Sequence, residues 1–383
     1  MNPKSIINLF SILVLLFSFS FIFPVVISIV FDDGALPIFL KTLISISLLG
    51  LTGLFLTRNI KNDLSQKDGF VIIVMFWVVL SLTGSVPFYL SGMSLIDSVF
   101  ESMSGITTTG ATVISSLDGL PESILFYRQL LQWMGGMGLI VLAIAVMPLL
   151  GIGGGQIYKT EVPGAMGEQR LTPRIKETAQ ALWLIYFGLT AVCGILYYLS
   201  GMTAFDAISH AMSTVAIGGF STHDESIGFF NSISIELICI CFMLLSAFSF
   251  ALHYFAIYKK KPLKYAFDPE FRFFISFLFI TLFIAVLIGF FVESGESPSI
   301  REIVFHTVSM VTTTGFSISD SSDWPFSMSF LLLIGAFVGA CSGSVGGGVK
   351  SWRIMIMLNH AYKNIMKIIH PNSVISLKIG TKS

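Results

Sequence analysis

Long apolar stretches and shorter segments of mixed polarity alternate along this 383-residue chain. A helix of about 20 apolar residues crosses the hydrocarbon core of a bilayer. The pattern predicts eight spanning helices, at residues 6–30, 37–56, 70–90, 125–150, 180–200, 231–257, 272–292 and 327–341. Three half-polar segments are too short to span, and we expect them to be re-entrant and buried in protein. They are residues 96–109, 205–217 and 301–314.

The composition excludes several classes of protein. Charged residues make up only 11% of the chain, whereas soluble globular chains carry about 25%. The 22 basic and 22 acidic residues cancel, which excludes a generally basic nucleic-acid binder. The chain has no HExxH or GxSxG motif and no paired intramembrane acids, so we expect no enzymatic activity.

The charges are distributed unevenly between the two sides of the predicted topology. If the N-terminus is cytoplasmic and each re-entrant segment returns to the outer side, 19 of the 22 basic residues lie inside and 15 of the 22 acids outside. The excess of basic residues inside predicts this orientation, and for the basic residues we prefer the interpretation that they only fix the topology. The acidic excess is less well explained by topology, and an acidic outer vestibule would concentrate cations.

The three re-entrant segments align without gaps and form a repeat. Each has an acid at its start, a serine seven residues later and a glycine thirteen residues later. The three sets are Asp97, Ser104 and Gly110; Asp206, Ser213 and Gly219; and Glu302, Ser309 and Gly315. Each unit is predicted to form a helix, a short pore helix, a strand-like loop and a second helix. Membrane transport proteins are often built from such repeats.

The residue types of this repeat suggest an ion filter. We expect the leading acid to cap the pore helix and the following residues to run extended, with carbonyls facing a central axis. Rings of carbonyls replace the hydration shell of a monovalent cation. Thr and Gly are also common packing residues, but three copies in register favour a filter. Filter segments 1, 2 and 3 are residues 107–110, 216–219 and 312–315, and the candidate potassium ligands are Thr108, Thr109, Gly110, Ala216, Ile217, Gly218, Gly219, Thr313, Thr314 and Gly315.

Position four of each repeat holds Glu101, His210 or His306. These side chains could support the pore helix or sense pH, and a hydrogen-bonded structural role is the more common one for such histidines.

A glycine-rich segment, residues 339–350, interrupts the last apolar stretch. We call it the glycine loop. Each glycine costs about 1 kcal/mol relative to alanine in a helix. A phosphate-binding loop is excluded because Val349 separates Gly348 from Lys350. Two interpretations stay open: a glycine kink for close packing, and an intramembrane gate lining a cavity. In a gate, Lys350 could compete with the cation or bind a carboxylate. The candidate gate residues are Gly343, Ser344, Gly346, Gly347, Gly348 and Lys350.

Several motifs resemble those of the Trk/Ktr/HKT superfamily of potassium uptake proteins, and most closely its TrkH branch. They occupy residues 107–112, 213–222, 250–254, 312–317, 343–350 and 370–374. The resemblance implies an all-α membrane protein of tandem helix–pore loop–helix repeats, three of a pseudo-fourfold set, preceded by a helix pair. The implied domains are the pair (1–68), the first repeat (69–178), the second repeat (179–265), and a third repeat with the glycine loop and a cytoplasmic tail (266–383).

The resemblance also implies an activity and partners. It implies potassium uptake across the bacterial inner membrane by a multi-pass protein, with K⁺ as the transported ion and no bound cofactor. Sodium-favouring plant members carry Ser at the first filter position, so Gly110 favours potassium. The family's gating loop corresponds to Cys341–Lys350. A homodimer, controlled by a cytosolic TrkA-like nucleotide-binding ring, is the expected assembly, and both channel and coupled symport stay open.

One departure from the family pattern affects the hypothesis. The TrkH pattern continues with a fourth repeat after the segment at 370–374, whereas this chain stops at Ser383. Truncation, completion by another polypeptide, or another role for the three-repeat form would each account for this, and we favour truncation. The main hypothesis is therefore potassium uptake through a carbonyl filter. The alternative is a non-conducting regulatory or assembly subunit of a potassium transporter.

Overall fold

All regular elements are helical among the residues that this computed structural model describes, which are 3–58, 66–136, 138, 175–291, 298–322 and 324–370. The helices are α1 (Pro3–Ser18), α2 (Ile22–Phe31), α3 (Leu36–Leu56), α4 (Gln66–Gly84), α5 (Val86–Leu90), α6 (Leu95–Ile106), α7 (Glu122–Gly136), α8 (Ile175–Leu199), α9 (Ala204–Val215), α10 (Ile233–Ala247), α11 (Phe250–Ile257), α12 (Lys264–Phe267), α13 (Pro269–Phe291), α14 (Ile300–Val311), α15 (Phe326–Val338) and α16 (Ser351–Ile369). Short 3₁₀ turns occupy Phe19–Phe21 and Ser226–Phe230.

Within the described ranges, four stretches are long and apolar enough to cross a bilayer, namely Lys4–Phe31, Leu36–Leu56, Gln180–Leu199 and Pro269–Phe291. These match four of the predicted spans closely. Large side chains on them remain exposed, such as Phe283 at 65% and Phe290 at 70%. Exposed apolar faces of this extent on spanning helices are the surfaces that contact lipid.

The predicted span at 231–257 consists of two helices that are bent by 98° at a short break, the geometry of a broken span or of a re-entrant loop. Phe248 adopts an extended conformation with ψ 156°, which ends α10. The freed backbone groups at the break bind the glycine loop: Cys341 N–H donates to Ala247 O at 3.1 Å, and Phe250 N–H donates to Gly343 O at 2.9 Å. Backbone buried in a membrane protein must be satisfied internally, and the glycine loop satisfies it here.

Other predicted spans are described only in part. The span at 125–150 begins as α7, and residue 137 and residues 139–150 lie outside the described residues. The motif at 371–374 and several basic residues used for the orientation, among them Lys159 and Arg170, also lie outside them. The span at 70–90 is divided into α4 and α5 at Ser85. The span at 327–341 ends at Val338 because Gly339 has φ 73°.

The three predicted re-entrant segments are the short helices α6, α9 and α14. The predicted cap was wrong in one respect, because Ser94, Thr203 and Ser299 are the N-cap residues and the leading acid lies three residues later. Each hydroxyl accepts a hydrogen bond from the backbone N–H of that acid, and a full capping box forms at Ser299. The acid still lies in the first turn, where the helix dipole favours negative charge.

Two large apolar cores hold these short helices in place. One core joins the first three helices to α4–α7, and it includes the fully buried Phe21, Phe39 and Tyr127. The other joins α8–α11 to α13 and α14, and it includes Tyr186 and Phe274. The ends of α6, α9 and α14 are thus fixed by packing on both sides.

Candidate functional site

The same chain reversal ends each pore helix. In the first repeat, Thr108 N–H donates to Gly105 O at 3.0 Å and Thr109 N–H to Ser104 O at 2.9 Å. The equivalent bonds in the second repeat join Ile217 to Thr214 and Gly218 to Ser213, and in the third Thr313 to Met310 and Thr314 to Ser309, all within 2.8–3.1 Å. This pair of bonds is the Schellman motif. The serine seven residues after the acid supplies the carbonyl that accepts one of the two bonds in each repeat.

Each motif places a β-branched residue in a conformation that favours glycine. Thr108, Ile217 and Thr313 have φ values of 54°, 52° and 66°, and the filter glycines two residues later have φ values of 77°, 79° and 86°. A β-branched residue at positive φ is an outlier, and such outliers concentrate at functional sites. The segments are therefore not the extended loops that we predicted. They carry left-handed residues at alternate positions.

Filter segments 1, 2 and 3 lie side by side in chain order. A Cβ atom added at Gly110 would collide with the carbonyl oxygen of Gly218, and one added at Gly219 would collide with the carbonyl oxygen of Thr314. The same relation thus joins segment 1 to segment 2 and segment 2 to segment 3. At Gly315, no described residue comes within 4 Å of an added Cβ. Glycine is required at Gly110 and Gly219 both by φ and by this close approach.

The filter carbonyls are mostly free of hydrogen bonds. Among the described residues, no donor reaches the backbone carbonyl oxygens of Thr108, Thr109, Gly110, Ala216, Ile217, Gly219, Thr313, Thr314 or Gly315. Gly218 is the exception, because the amide nitrogen of Gln132 donates to its oxygen at 2.5 Å. These residues range from buried (Ala216, Ile217 and Thr314) to exposed (Thr109 and Gly315), and a cluster of unpaired carbonyl oxygens from three repeats suits a cation.

The side chains at position four hold the chain that leaves each filter segment. Glu101 accepts from the Thr112 hydroxyl at 3.0 Å and from Val113 N–H at 3.3 Å. His210 Nε2 lies 2.9 Å from the Ser221 hydroxyl, and His306 Nε2 accepts from Ile318 N–H at 3.4 Å. All three residues therefore have the hydrogen-bonded structural role that we expected.

Two buried polar side chains on α7 were missed by the sequence analysis. Arg128, only 1% exposed, donates to Glu101 Oε1 at 2.7 Å and to Ser221 O at 3.1 Å. Gln132 is fully buried and contacts filter segment 2. Charged and amide groups in an otherwise apolar spanning stretch indicate a functional role, and this signal could have found both residues.

The glycine loop lies against filter segments 2 and 3. Gly347 N–H donates to the Thr313 hydroxyl at 2.7 Å. A Cβ added at Gly346 would lie 3.1 Å from Thr312 O and 3.5 Å from the Ile217 side chain. The loop therefore contacts the end of the filter where the pore helices end, as a gate at this place requires.

The ends of the glycine loop are fixed by a buried carboxylate on α13. Glu270 Oε1 accepts from Ser342 N–H at 2.5 Å and from Trp352 N–H at 3.1 Å. Lys350 Nζ donates to Gly346 O and forms no ion pair with any described acid. Lys350 thus contacts its own loop, and its side chain finds no carboxylate partner in the part of the chain that the structure describes.

Acidic side chains line a cleft at the N-terminal ends of α7 and α9. The cleft has a volume of about 650 Å³, and its lining includes Asp33, Asp118, Glu122, Asp206 and His223. Burial alone would raise the pKa of Asp206, but hydrogen bonds from His223, Thr203 and Thr222 outweigh it and lower the pKa from 3.8 to about 2. Asp206 is therefore anionic at neutral pH.

Known proteins resemble this chain over its whole length. The family model TrkH, described as a cation transport protein, matches residues 35–383. "Trk system potassium uptake protein TrkH" of Halomonas elongata is 47% identical in an alignment of 387 positions that covers 100% of this chain and 80% of that protein. The protein of that name from Escherichia coli K12 is 43% identical over 389 residues, with the same coverage.

A solved structure agrees with these matches. The crystal structure of the potassium transporter TrkH from Vibrio parahaemolyticus superposes with a TM-score of 0.88 at 42% identity, over 100% of this chain and 80% of that chain. The predicted all-helical membrane fold and the family resemblance are thus confirmed. The chain belongs to the TrkH family of cation transport proteins, which are membrane transporters and not enzymes.

Proposed function

We propose that this protein takes up potassium through a filter made of the backbone carbonyls of segments 1–3. The observation that carries the proposal is the set of three Schellman motifs, which bring unpaired carbonyl oxygens of three repeats together. Carbonyl oxygens replace the hydration shell of K⁺. The relatives named as potassium uptake proteins support K⁺ as the ion. No covalent step is involved.

The glycine loop is the proposed gate, and the residues that form it are Gly343, Ser344, Gly346, Gly347, Gly348 and Lys350. Its contacts with Thr313 and Ile217 support this role, because movement of the loop changes the space next to the filter. The bonds from Ser342 N–H to Glu270 and from Cys341 N–H to Ala247 O give the loop one defined position, which a simple packing kink does not require.

We further propose the assembly and location that the resemblance implied. The units are a helix pair at 1–68 and repeats at 69–178, 179–265 and 266–383. The protein lies in the bacterial inner membrane as a homodimer, with a cytosolic nucleotide-binding ring as its regulatory partner. The relatives' designation as parts of a Trk system supports a partner subunit.

The test compares K⁺ and Na⁺ in purified protein. Flux into liposomes reports conduction, and thermal stabilisation by each ion reports binding without requiring conduction. We expect K⁺ to exceed Na⁺ in both measurements. Equal effects of the two ions would refute the filter, whereas K⁺-specific stabilisation without flux would favour the regulatory-subunit alternative.

A matched pair of glycine variants tests the filter assignment. Gly315 and Gly201 both have positive φ, 86° and 106°, and no described residue comes within 4 Å of a Cβ at either. Gly315→Ser and Gly201→Ser therefore carry a similar backbone cost, about 1–2 kcal/mol. We expect only Gly315→Ser to weaken the preference for K⁺. Equal preferences in the two variants would contradict the assignment.

A further inference from the structure

Helix α7 of the first repeat carries a polar face that is turned toward filter segment 2. Arg128, Gln129 and Gln132 are 0–1% exposed. Arg128 and Gln132 are four residues apart and therefore lie on the same side of the helix. Buried amide and guanidinium groups are costly unless they are paired, so the groups that they contact indicate what they do.

Gln132 makes three hydrogen bonds, all to the second repeat. Its nitrogen donates to Gly218 O at 2.5 Å, and its oxygen accepts from the Ser213 hydroxyl at 2.7 Å and from Phe220 N–H at 3.1 Å. These contacts reach the pore helix, the filter and the residue after the filter. Phe220 N–H can only donate and Gly218 O can only accept, so these two groups assign the orientation of the amide, and the Ser213 hydroxyl donates to the same oxygen.

The other repeats lack this arrangement. In the third repeat the equivalent Ser309 hydroxyl donates directly to Phe316 O at 2.8 Å. In the first repeat the Ser104 hydroxyl has no partner among the described residues. As far as the structure describes the chain, only the second repeat has a side chain from a neighbouring repeat between the serine and the residue after the filter. The three filter segments are therefore held in different ways.

Arg128 strengthens the same junction one helical turn away. Its guanidinium bridges Glu101 of the first repeat and Ser221 O of the second, and it lies 4.1 Å from the centre of the Phe220 ring. Phe220 is thus held from one side by Gln132 and from another by Arg128. This fixes the chain directly after Gly219, where segment 2 approaches segment 3.

We propose that Gln132 is a selectivity-determining positioning residue, which sets the direction of the Gly218 carbonyl and the spacing between filter segments 1 and 2. The proposal rests on the proposed function of the filter. Gly218 O is the atom that a Cβ at Gly110 would strike, so its position decides how closely the two segments approach. An ion filter discriminates by the number and geometry of its carbonyls, and Gln132 controls one of them.

The decisive variant is Gln132→Met, which keeps a side chain of similar length without any hydrogen-bonding group. The matched control is Gln129→Met, because Gln129 is equally buried on the same helix and neither amide atom has a partner among the described residues. We expect Gln132→Met to lower the ratio of K⁺ to Na⁺ affinity about tenfold, which corresponds to about 1.4 kcal/mol. We expect Gln129→Met to leave the ratio unchanged.

The readouts are ion-specific thermal stabilisation and liposome flux for each ion. A Gln132→Met protein that folds and keeps the wild-type ratio would refute the positioning role, and so would an equal loss in Gln129→Met. A wild-type protein that does not distinguish K⁺ from Na⁺ would instead refute the proposed function, so the two failures are distinguishable.

A second variant covers the case in which Gln132→Met does not fold. Ser213→Ala removes one of the two donors to the Gln132 oxygen but leaves Gln132 in place. We expect Ser213→Ala to lower the K⁺ to Na⁺ ratio below that of the wild type, by less than the tenfold expected for Gln132→Met, because Phe220 N–H still holds the amide. An unchanged ratio in Ser213→Ala would count against the proposal.

Discussion

Replacing Gly110 by alanine tests the packing of filter segments 1 and 2. The backbone of Gly110 has φ 77°, and its added Cβ would meet Gly218 O, a backbone atom that Gln132 holds in place. Gly119 has a similar φ of 90°, but no described residue comes within 4 Å of its added Cβ. The pair Gly110→Ala and Gly119→Ala therefore separates the effect of the collision from the effect of backbone conformation.

The expected magnitudes follow from these two contributions. A left-handed alanine costs about 1–2 kcal/mol, and this is the whole expected effect at Gly119. The collision at Gly110 adds roughly 1–3 kcal/mol, as overpacking does in a well-packed interior. Relief of that collision requires the Gly218 carbonyl to move. Since about 1.4 kcal/mol corresponds to a tenfold change in affinity, we expect the preference for K⁺ over Na⁺ to fall about tenfold.

The assay is thermal stabilisation by increasing K⁺ or Na⁺, with liposome flux as a second measurement. Gly119→Ala should be destabilised without ions but should keep the wild-type preference. The reasoning is refuted if Gly110→Ala folds and retains the wild-type preference, or if Gly119→Ala loses as much preference as Gly110→Ala.

Three further predictions concern the glycine loop and the acidic cleft. Glu270→Ala leaves Ser342 N–H and Trp352 N–H without their acceptor. We therefore expect faster hydrogen exchange in the glycine loop and a higher K⁺ flux, with the preference for K⁺ over Na⁺ unchanged. Exchange rates equal to those of the wild type would contradict this. Thr313→Val removes the acceptor of Gly347 N–H and should cost about 1 kcal/mol, whereas Thr313→Ser should retain the contact in the same exchange experiment. Because the pKa of Asp206 is lowered to about 2, its stabilisation is complete above its ordinary value and is lost as pH falls from about 4 to 2. Asp206→Asn should therefore lower stability by about 2 kcal/mol at pH 7 and much less near pH 2, measured by thermal unfolding.

The threefold repeat was accessible to sequence reasoning because it has three anchoring positions. The acid, the serine and the glycine occur at equal spacing, and the structure gives each a backbone role at the same place in all three repeats. The left-handed conformation of Thr108, Ile217 and Thr313 was not accessible. Propensity assigns that conformation to glycine, and only the packing around each helix end overrides the preference.

The contacts between repeats were also beyond the sequence. The break at Phe248 has neither proline nor glycine to announce it, and its hydrogen bonds are made with the glycine loop about 90 residues away in the chain. Gln132 was hidden in an apolar stretch that we interpreted only as a membrane span. Its meaning depends on Gly218 and Ser213, which belong to another repeat.

The side chains of the left-handed residues have a thermodynamic consequence. The Thr313 hydroxyl accepts from the glycine loop and the Ile217 side chain lies next to Gly346, while the backbones of these two residues belong to the proposed filter. Glycine at these positions would relieve the conformational cost but would remove these contacts. Ion occupancy and loop position are then linked equilibria, and linkage is reciprocal. If displacement of the loop weakens ion binding by some factor, a bound ion must disfavour displacement of the loop by that same factor.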